Sequence, residues 1–303
     1  MKRPSLLTRR LFGAILLSLI AMTPCAAAQL QAGERLEYTF SYRGIFSGFV
    51  PLQIARAEFV LETVAGGDDA QPDYLATMQV TTEPFGKAEM LYPIRYRYRS
   101  WLEHEQQRPW LVSEYLQTDE ISEELLWFDR ENALGYRYVK RPAAVSSGPK
   151  PPRHLLEQAG ISLEEQIFLE QSHQKSLADA PVWDYLSMIY HLRTADLQPG
   201  KALDIPVYNG KRIKHFRLEV EHERMQRAGW DRPAYKLSLY EHPKKKGITT
   251  TIWISDDVQR LPLRFYAERA FGAVDGILQT GRTTEREARG FSAATSQSLQ
   301  LVF

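Results

Sequence analysis

The chain has 303 residues, 38 Lys+Arg against 37 Asp+Glu for a net charge of +1, and a single cysteine. Four of the basic residues fall in the first ten positions, so a chain starting after residue 28 carries 34 basic against 37 acidic residues, a charge of −3. That balance gives no reason to expect nucleic acid or an anionic membrane as a partner. The lone Cys25 excludes a disulfide framework and thiol chemistry from everything after it.

The first segment has the three parts of a secretory signal. Lys2, Arg3, Arg9 and Arg10 precede the uncharged run Leu11 to Met22. Pro24 and the small residues Ala26, Ala27 and Ala28 then stand before Gln29. The run is shorter than the roughly 20 apolar residues a membrane span needs. Pro24 occupies the place before Cys25 where a lipoprotein signal carries a small residue. Thr8-Arg9-Arg10-Leu11-Phe12 resembles the twin-arginine signal, but Gly13 departs from it, and export of an unfolded chain is the favoured route. The expectation is a periplasmic protein with the signal at 1–28 and one β-rich domain over 29–303, about 275 residues and able to bury a core without staples.

Most of that domain alternates with period two, the mark of half-buried strands. Leu36, Tyr38, Phe40 and Tyr42 share one face. Arg43 to Gly48 turns the chain into Val50 to Leu61, where the apolar face switches between Ile54 and Ala57 as at a bulge. Ala65 to Asp69 reads as a loop. Strands follow at Tyr74–Val80, Ile94–Trp101, Trp110–Leu116, Leu125–Phe128 and Leu134–Val139. Residues 141–153 are too rich in proline for a ladder and read as a loop or linker, and 154–178 reads as a polar, partly helical insert.

One helix is predicted over 182–193. Asp179 suits its cap, Pro181 its first turn and Asp184 its positive end. Val182, Leu186, Ile189 and Tyr190 recur at helical spacing, and Pro199-Gly200 stops the element. Leu203, Ile205 and Val207 then lead to Asn209-Gly210, a pair suited to a type I′ hairpin. Phe216–Val220, Tyr235–Leu239, Thr251–Ser255, Leu261–Tyr266 and Gly276–Thr280 complete a meander. The fold class is all-β: an antiparallel, strongly curved sheet, an open barrel or a sandwich, with one main helix.

The segments Asp184 to Arg193, Leu197 to Gly200, Val207 to Lys211, Ile252 to Leu263 and Phe271 to Val274 are similar, in order, to the "domain of unknown function 3108" family of exported bacterial proteins. Gly33 to Tyr38 and the Gly44–Gly48 turn fit as well, so the resemblance spans residues 33–280 and is weakest over 105–178. It implies an envelope location and a β-rich fold, and no reaction.

No G-x-S-x-G motif, phosphate-cradling glycine loop or convergent metal-donor set emerges, so no catalytic residue, metal ligand or cofactor is assigned. Ser172-His173-Gln174-Lys175 has S-x-x-K spacing in a polar, weakly patterned region. Asp256-Asp257 reads as a turn whose carboxylates bond local amides. Arg95, Arg97 and Arg99 line one strand face as either an anion grip or a charged solvent face. With Tyr190 and Trp253 they form the candidate ligand-binding set. The favoured reading is a non-catalytic carrier of an apolar or lipid-like ligand. A scaffold of the envelope and an enzyme acting on envelope polymers stay open, the protein partner is unassigned, and no membrane span follows the signal.

Overall fold

The computed structural model describes residues 30–64, 73–141, 148–162, 169–177, 181–227, 230–242 and 250–283. The signal segment, Cys25 and Asp179 lie outside them. Among the described residues there are fourteen strands, most of them with alternating apolar residues: β1 (Glu34–Gly44), β2 (Leu52–Val64), β3 (Asp73–Thr81), β4 (Arg95–Leu102), β5 (Pro109–Gln117), β6 (Ile121–Asp129), β7 (Leu134–Lys140), β8 (Leu169–Ser176), β9 (Ala202–Tyr208), β10 (Ile213–Arg227), β11 (Trp230–His242), β12 (Thr250–Ser255), β13 (Pro262–Arg269) and β14 (Gly272–Thr283). Among the described residues three helices accompany them, α1 (Gly86–Leu91), α2 (Arg153–Gln158) and α3 (Tyr185–Thr194).

All fourteen strands form one antiparallel sheet in the order β8-β7-β6-β5-β4-β3-β2-β1-β14-β13-β12-β11-β10-β9. β1 therefore sits in the interior of the sheet, paired with β2 on one side and β14 on the other. The two edges, β8 and β9, are consecutive in sequence, and α3 lies between them. Ile54 is skipped where the β1–β2 register passes from Phe40–Ala55 to Ser41–Gln53, which is the bulge the phase switch predicted.

The sheet does not close into a barrel; it overlaps itself as a scroll. Tyr208 of β9 points away from Ile205 and Val207 and lands on β6 and β7. Its ring meets Phe128 edge-on at 5.6 Å and its hydroxyl donates to the Gly135 carbonyl at 3.2 Å. A Cβ on Gly135 would stand 2.7 Å from the Tyr208 ring and 2.8 Å from Leu177, so only glycine admits this approach. The exposed ladder of β9 is capped by the extended segment before α3. Trp183 N–H donates to the Pro206 carbonyl at 3.0 Å, and Tyr208 N–H donates to the Trp183 carbonyl at 2.8 Å. An edge so covered is protected from pairing with another chain.

Helix α3 lies on the concave face and fills it. Leu186 and Tyr190 join a core with Leu36, Tyr38, Phe59 and Tyr98, while Met188 and Leu192 join Val207, Leu218, Leu237 and Ile252. Tyr38, Phe59 and Phe265 form an aromatic trio with centroids 5.0 to 5.8 Å apart. A third cluster covers the convex side of β4–β7, where Trp101, Leu111, Leu125 and Tyr138 pack under Leu156 of α2. The apolar residues on both faces of these strands thus serve two cores, one inside the scroll and one beneath α2.

Both ends of α3 are bound to the sheet by buried charges. Asp184, fully buried, is its N-cap: the carboxylate accepts from Leu186 N–H at 2.7 Å, Ser187 N–H at 3.1 Å and the Ser100 hydroxyl of β4 at 2.6 Å. At the other end Arg193, 1% exposed, donates to both oxygens of Glu34 on β1 at 2.5 and 2.6 Å. The same guanidinium donates to the carbonyls of Arg260 and Gln259 at 3.0 and 3.1 Å.

Three local expectations need correction. The helix starts at Tyr185 rather than Val182, because Asp184 and Ser187 form a capping box and Val182–Trp183 is recruited as edge cover. Residues 154–178 contain a short helix and then the edge strand β8, whose sequence hides it because its residues beyond Leu169 are largely polar and solvent-facing. Asn209-Gly210 does not form a two-residue type I′ turn. Tyr208 pairs with Ile213, leaving four residues in the loop, and the Asn209 side chain accepts from the amides of Lys211 and Arg212. Only Gly210 takes a positive φ, 83°.

Breaking the buried pair by Arg193→Met is expected to cost about 3–5 kcal/mol because it strands the Glu34 carboxylate without its partner. Replacing both residues with apolar ones is expected to cost less. Urea denaturation of the two variants checks this ordering, and a double variant less stable than the single one contradicts it.

Candidate functional site

The candidate residues read from the sequence do not converge. Arg95, Arg97 and Arg99 do share the convex face of β4, each with a different environment. Arg95 is bound to Glu89 of α1 by two contacts at 2.8 and 3.0 Å. Arg97 is exposed and lies over the Tyr115 ring at 5.5 Å. Arg99 donates to the Ser113 hydroxyl at 3.1 Å and covers the Trp101 ring at 5.1 Å; burial, reinforced by Arg97, pulls its pKa down. Arg97, with Arg95 and Arg56, lines an open cleft of about 380 Å³ that also contains Glu37 and Glu58.

Tyr190 and Trp253 are parts of cores. Tyr190 is 1% exposed between α3 and the sheet, with a hydroxyl that has no hydrogen-bond partner; burial pushes its pKa upward. Trp253 points to the opposite face from Ile252 and Ile254. Its indole N–H donates to Glu223 at 2.7 Å, and the Arg264 guanidinium stacks over its ring at 4.4 Å. Asp257 closes the turn as predicted, accepting from the amides of Gln259 and Arg260 and from the Ser255 hydroxyl. Asp256 instead reaches His222 at 3.0 Å.

A different set of residues forms a roomy site. A cleft of about 860 Å³ opens where the C-terminal half of α3, the loop between β4 and β5 and the start of β3 meet. Two stacked pairs wall it. His104 lies on Tyr74 with centroids 4.8 Å apart and planes 20° from parallel, and His191 lies on Trp183 at 4.3 Å and 26°. In each imidazole Nδ1 is buried with no hydrogen-bond partner among the described residues. Burial lowers the pKa of His191, so this ring is held in its neutral form.

The loop behind this wall is pinned in several ways. Gln107, buried and with φ of 52°, donates through its side-chain amide to the carbonyls of His104 and Glu105 at 2.8 and 3.0 Å. Its amide oxygen accepts from the Thr194 hydroxyl of α3 at 2.9 Å. A positive φ at a non-glycine residue costs on the order of 1–3 kcal/mol, and these bonds offset it. Glu103 anchors the loop base through Arg108 and Arg130, each at 3.0 Å. The result is a preformed recess with flat aromatic and imidazole walls and a polar edge from Gln106, Gln107 and Thr194. Stacking and hydrogen bonding are what such a lining can provide.

Two facing carboxylates occur elsewhere. Glu114 of β5 lies directly opposite Glu124 of β6. Glu124 is engaged by Arg137, and Glu114 accepts from the Tyr96 hydroxyl at 3.1 Å. Burial raises the Glu114 pKa, partly countered by Tyr96, with Glu124 adding to the rise. Among the described residues no group of three or more His, Cys, Asp or Glu is placed to hold a metal ion.

Because the pKa of His191 is depressed in the fold, its contribution to stability is present above the ordinary imidazole value of roughly 6.5 and is lost as pH falls through the folded value. His191→Gln is expected to remove that part of the acid-side loss, read as melting temperature against pH. An NMR titration placing this ring at or above the ordinary value contradicts the site as described.

No curated protein matches the sequence. Among solved structures the chain is similar to the crystal structure of a beta-barrel-like protein of the domain of unknown function DUF1849 from Brucella abortus. The TM-score is 0.51 at 8% identity over 86% of this chain and 100% of that one, a likeness of fold alone. The expected family resemblance is present over the second half: residues 168–279, from the start of β8 through β14, match the family model described as "Protein of unknown function (DUF3108)".

Proposed function

We propose that the chain is exported to the periplasm and acts there as a non-catalytic binding or carrier module for an apolar or lipid-like ligand seated in the cleft of Tyr74, His104, Trp183 and His191. The observation that carries this reading is the cleft itself. Its volume of about 860 Å³ falls in the range of ligand sites, and its walls divide between apolar and aromatic groups, Leu30, Tyr74, Pro181 and Trp183, and a polar side formed by Glu105 to Gln107, Thr194 and the two imidazoles. The concave face, a first choice for such a ligand, is occupied by α3 and the aromatic core. The cleft lining offers one carboxylate, Glu105, and no serine, cysteine or lysine nucleophile among the described residues, which suits binding better than acyl or glycosyl transfer.

An enzyme acting on envelope polymers is favoured by one observation, the pair Glu114 and Glu124, one with a raised pKa. In that case turnover would be abolished by Glu114→Gln and by Glu124→Gln. With a purely structural role, Glu114→Gln raises stability at neutral pH. A carboxyl with a raised folded pKa stabilises fully only below its ordinary value and loses that contribution as pH rises.

The carrier reading is tested by mass spectrometry of what co-purifies with the protein from a periplasmic fraction. A stoichiometric lipid or acylated species is expected, reduced about tenfold by His104→Ala, a change of order 1.4 kcal/mol, with the melting temperature retained. A clean protein that takes up no added lipid contradicts it.

A further inference from the structure

The end of the sheet opposite the cleft is apolar. Ile45, Phe46 and Phe49 on the β1–β2 hairpin are 58%, 83% and 65% exposed, Met90 and Leu91 of α1 are 80% and 77%, and Phe271 in the β13–β14 turn is 64%. These are three neighbouring projections. Gly44 pairs with Gly272, Ile45 N–H and the Tyr42 hydroxyl both donate to the Phe271 carbonyl, at 3.2 and 2.6 Å, and α1 packs against β2. Soluble proteins seldom display so many large apolar groups together without a use for them.

The display is built into the backbone. Gly48 takes the left-handed conformation, Phe49 follows with φ of 62°, and Phe49 N–H donates back to the Gly44 carbonyl at 2.9 Å. A phenylalanine in that region is held against its own preference, and here it is held outward into water. Cations stand around and behind the tips: Arg43, Arg56, Lys87 and Arg97 are exposed, and no carboxylate among the described residues forms an ion pair with any of them. Of the acids nearby, Glu89 is bound to Arg95, Glu83 reaches the same arginine at 3.8 Å, Glu58 beside Arg56 is bound to Arg35, and Glu37 and Glu268 are exposed.

We infer that this end docks on a lipid bilayer containing anionic lipid, with the apolar tips in the interface and the arginines and lysine at the headgroups. Separate protruding tips fit a fluid surface, whereas a rigid protein partner would need a matching set of holes. Apolar and aromatic tips combined with unpaired cations are the composition that partitions into such an interface. Among the described residues no helix is long and apolar enough to cross a membrane. The eleven residues of β1 separate the two ends of the sheet by roughly 35 Å. A protein docked by its tips therefore holds the cleft facing away from the bilayer. This inference does not depend on the identity of the cleft ligand.

The test is flotation of the exported form, as purified from cells, with vesicles of phosphatidylethanolamine containing a minority of phosphatidylglycerol. The wild-type protein is expected to float, and less so with phosphatidylcholine alone. Phe46→Asp combined with Phe271→Asp is expected to lower partitioning about tenfold or more, with circular dichroism and melting temperature unchanged because both side chains are in water. Arg43→Glu with Lys87→Glu is expected to weaken binding to the anionic vesicles only. Failure of the wild type to float, or equal flotation of the aspartate variant, overturns the inference. So does a dimer in sedimentation velocity that the aspartate variant dissolves while vesicles bind neither form.

Discussion

The fold depends on a short helix fastened at both ends by charges that water cannot reach. A fourteen-stranded sheet whose edge strands are neighbours in sequence must either close or protect those edges, and this one does neither through its ladder. Instead the extended segment before α3 covers the β9 edge, and α3 fills the concave face. Asp184 ties its start to Ser100 on β4, and Arg193 ties its end to Glu34 on β1 and to the β12–β13 turn. Each tie joins segments far apart in sequence, with separations of 84 and 159 positions in the two side-chain contacts. Isolated buried charges of this sort are costly, so the helix has one seat in which every charge is met.

That seat also makes the cleft. The residues of α3 that face the loop between β4 and β5, His191 and Thr194, are on the last turns, immediately beside the Arg193 anchor. The wall of Trp183 comes from the segment that covers the β9 edge. One local solution to an edge-strand problem therefore positions half of the proposed ligand site, and a pinned hairpin loop positions the other half. The opposite end of the same strands has a different character, apolar tips with unpaired cations behind them.

The strands were legible in the sequence because each strand of the concave face must alternate to bury one side, and the phase slip at Ile54 even located a bulge. β8 was not legible, since an edge strand that buries little beyond Leu169 has no period to detect. The helix was placed three residues early because Val182 and Trp183 are as apolar as a helix face, although they serve as strand cover. Arg193 carried the local meaning of a cation near a helix C-terminus, and its buried role needs Glu34, which no spacing rule connects to it. The stacked imidazoles are of the same kind. His104 meets Tyr74 only after β3 and β4 pair, and His191 meets Trp183 only because the preceding segment is extended rather than helical. Trp253 finds its partners in Glu223 and Arg264, whereas Tyr190 is packed into the core with a hydroxyl that has no hydrogen-bond partner among the described residues.

With both ends tied to the sheet, α3 is expected to belong to the cooperative unit of the sheet. Native-state hydrogen exchange measures this directly. The amides of Met188 to Thr194 are expected to exchange only through global unfolding, with the same free energy as those of β1 and β4. Exchange of these amides through a local opening well below the global free energy, with the sheet intact, would contradict it.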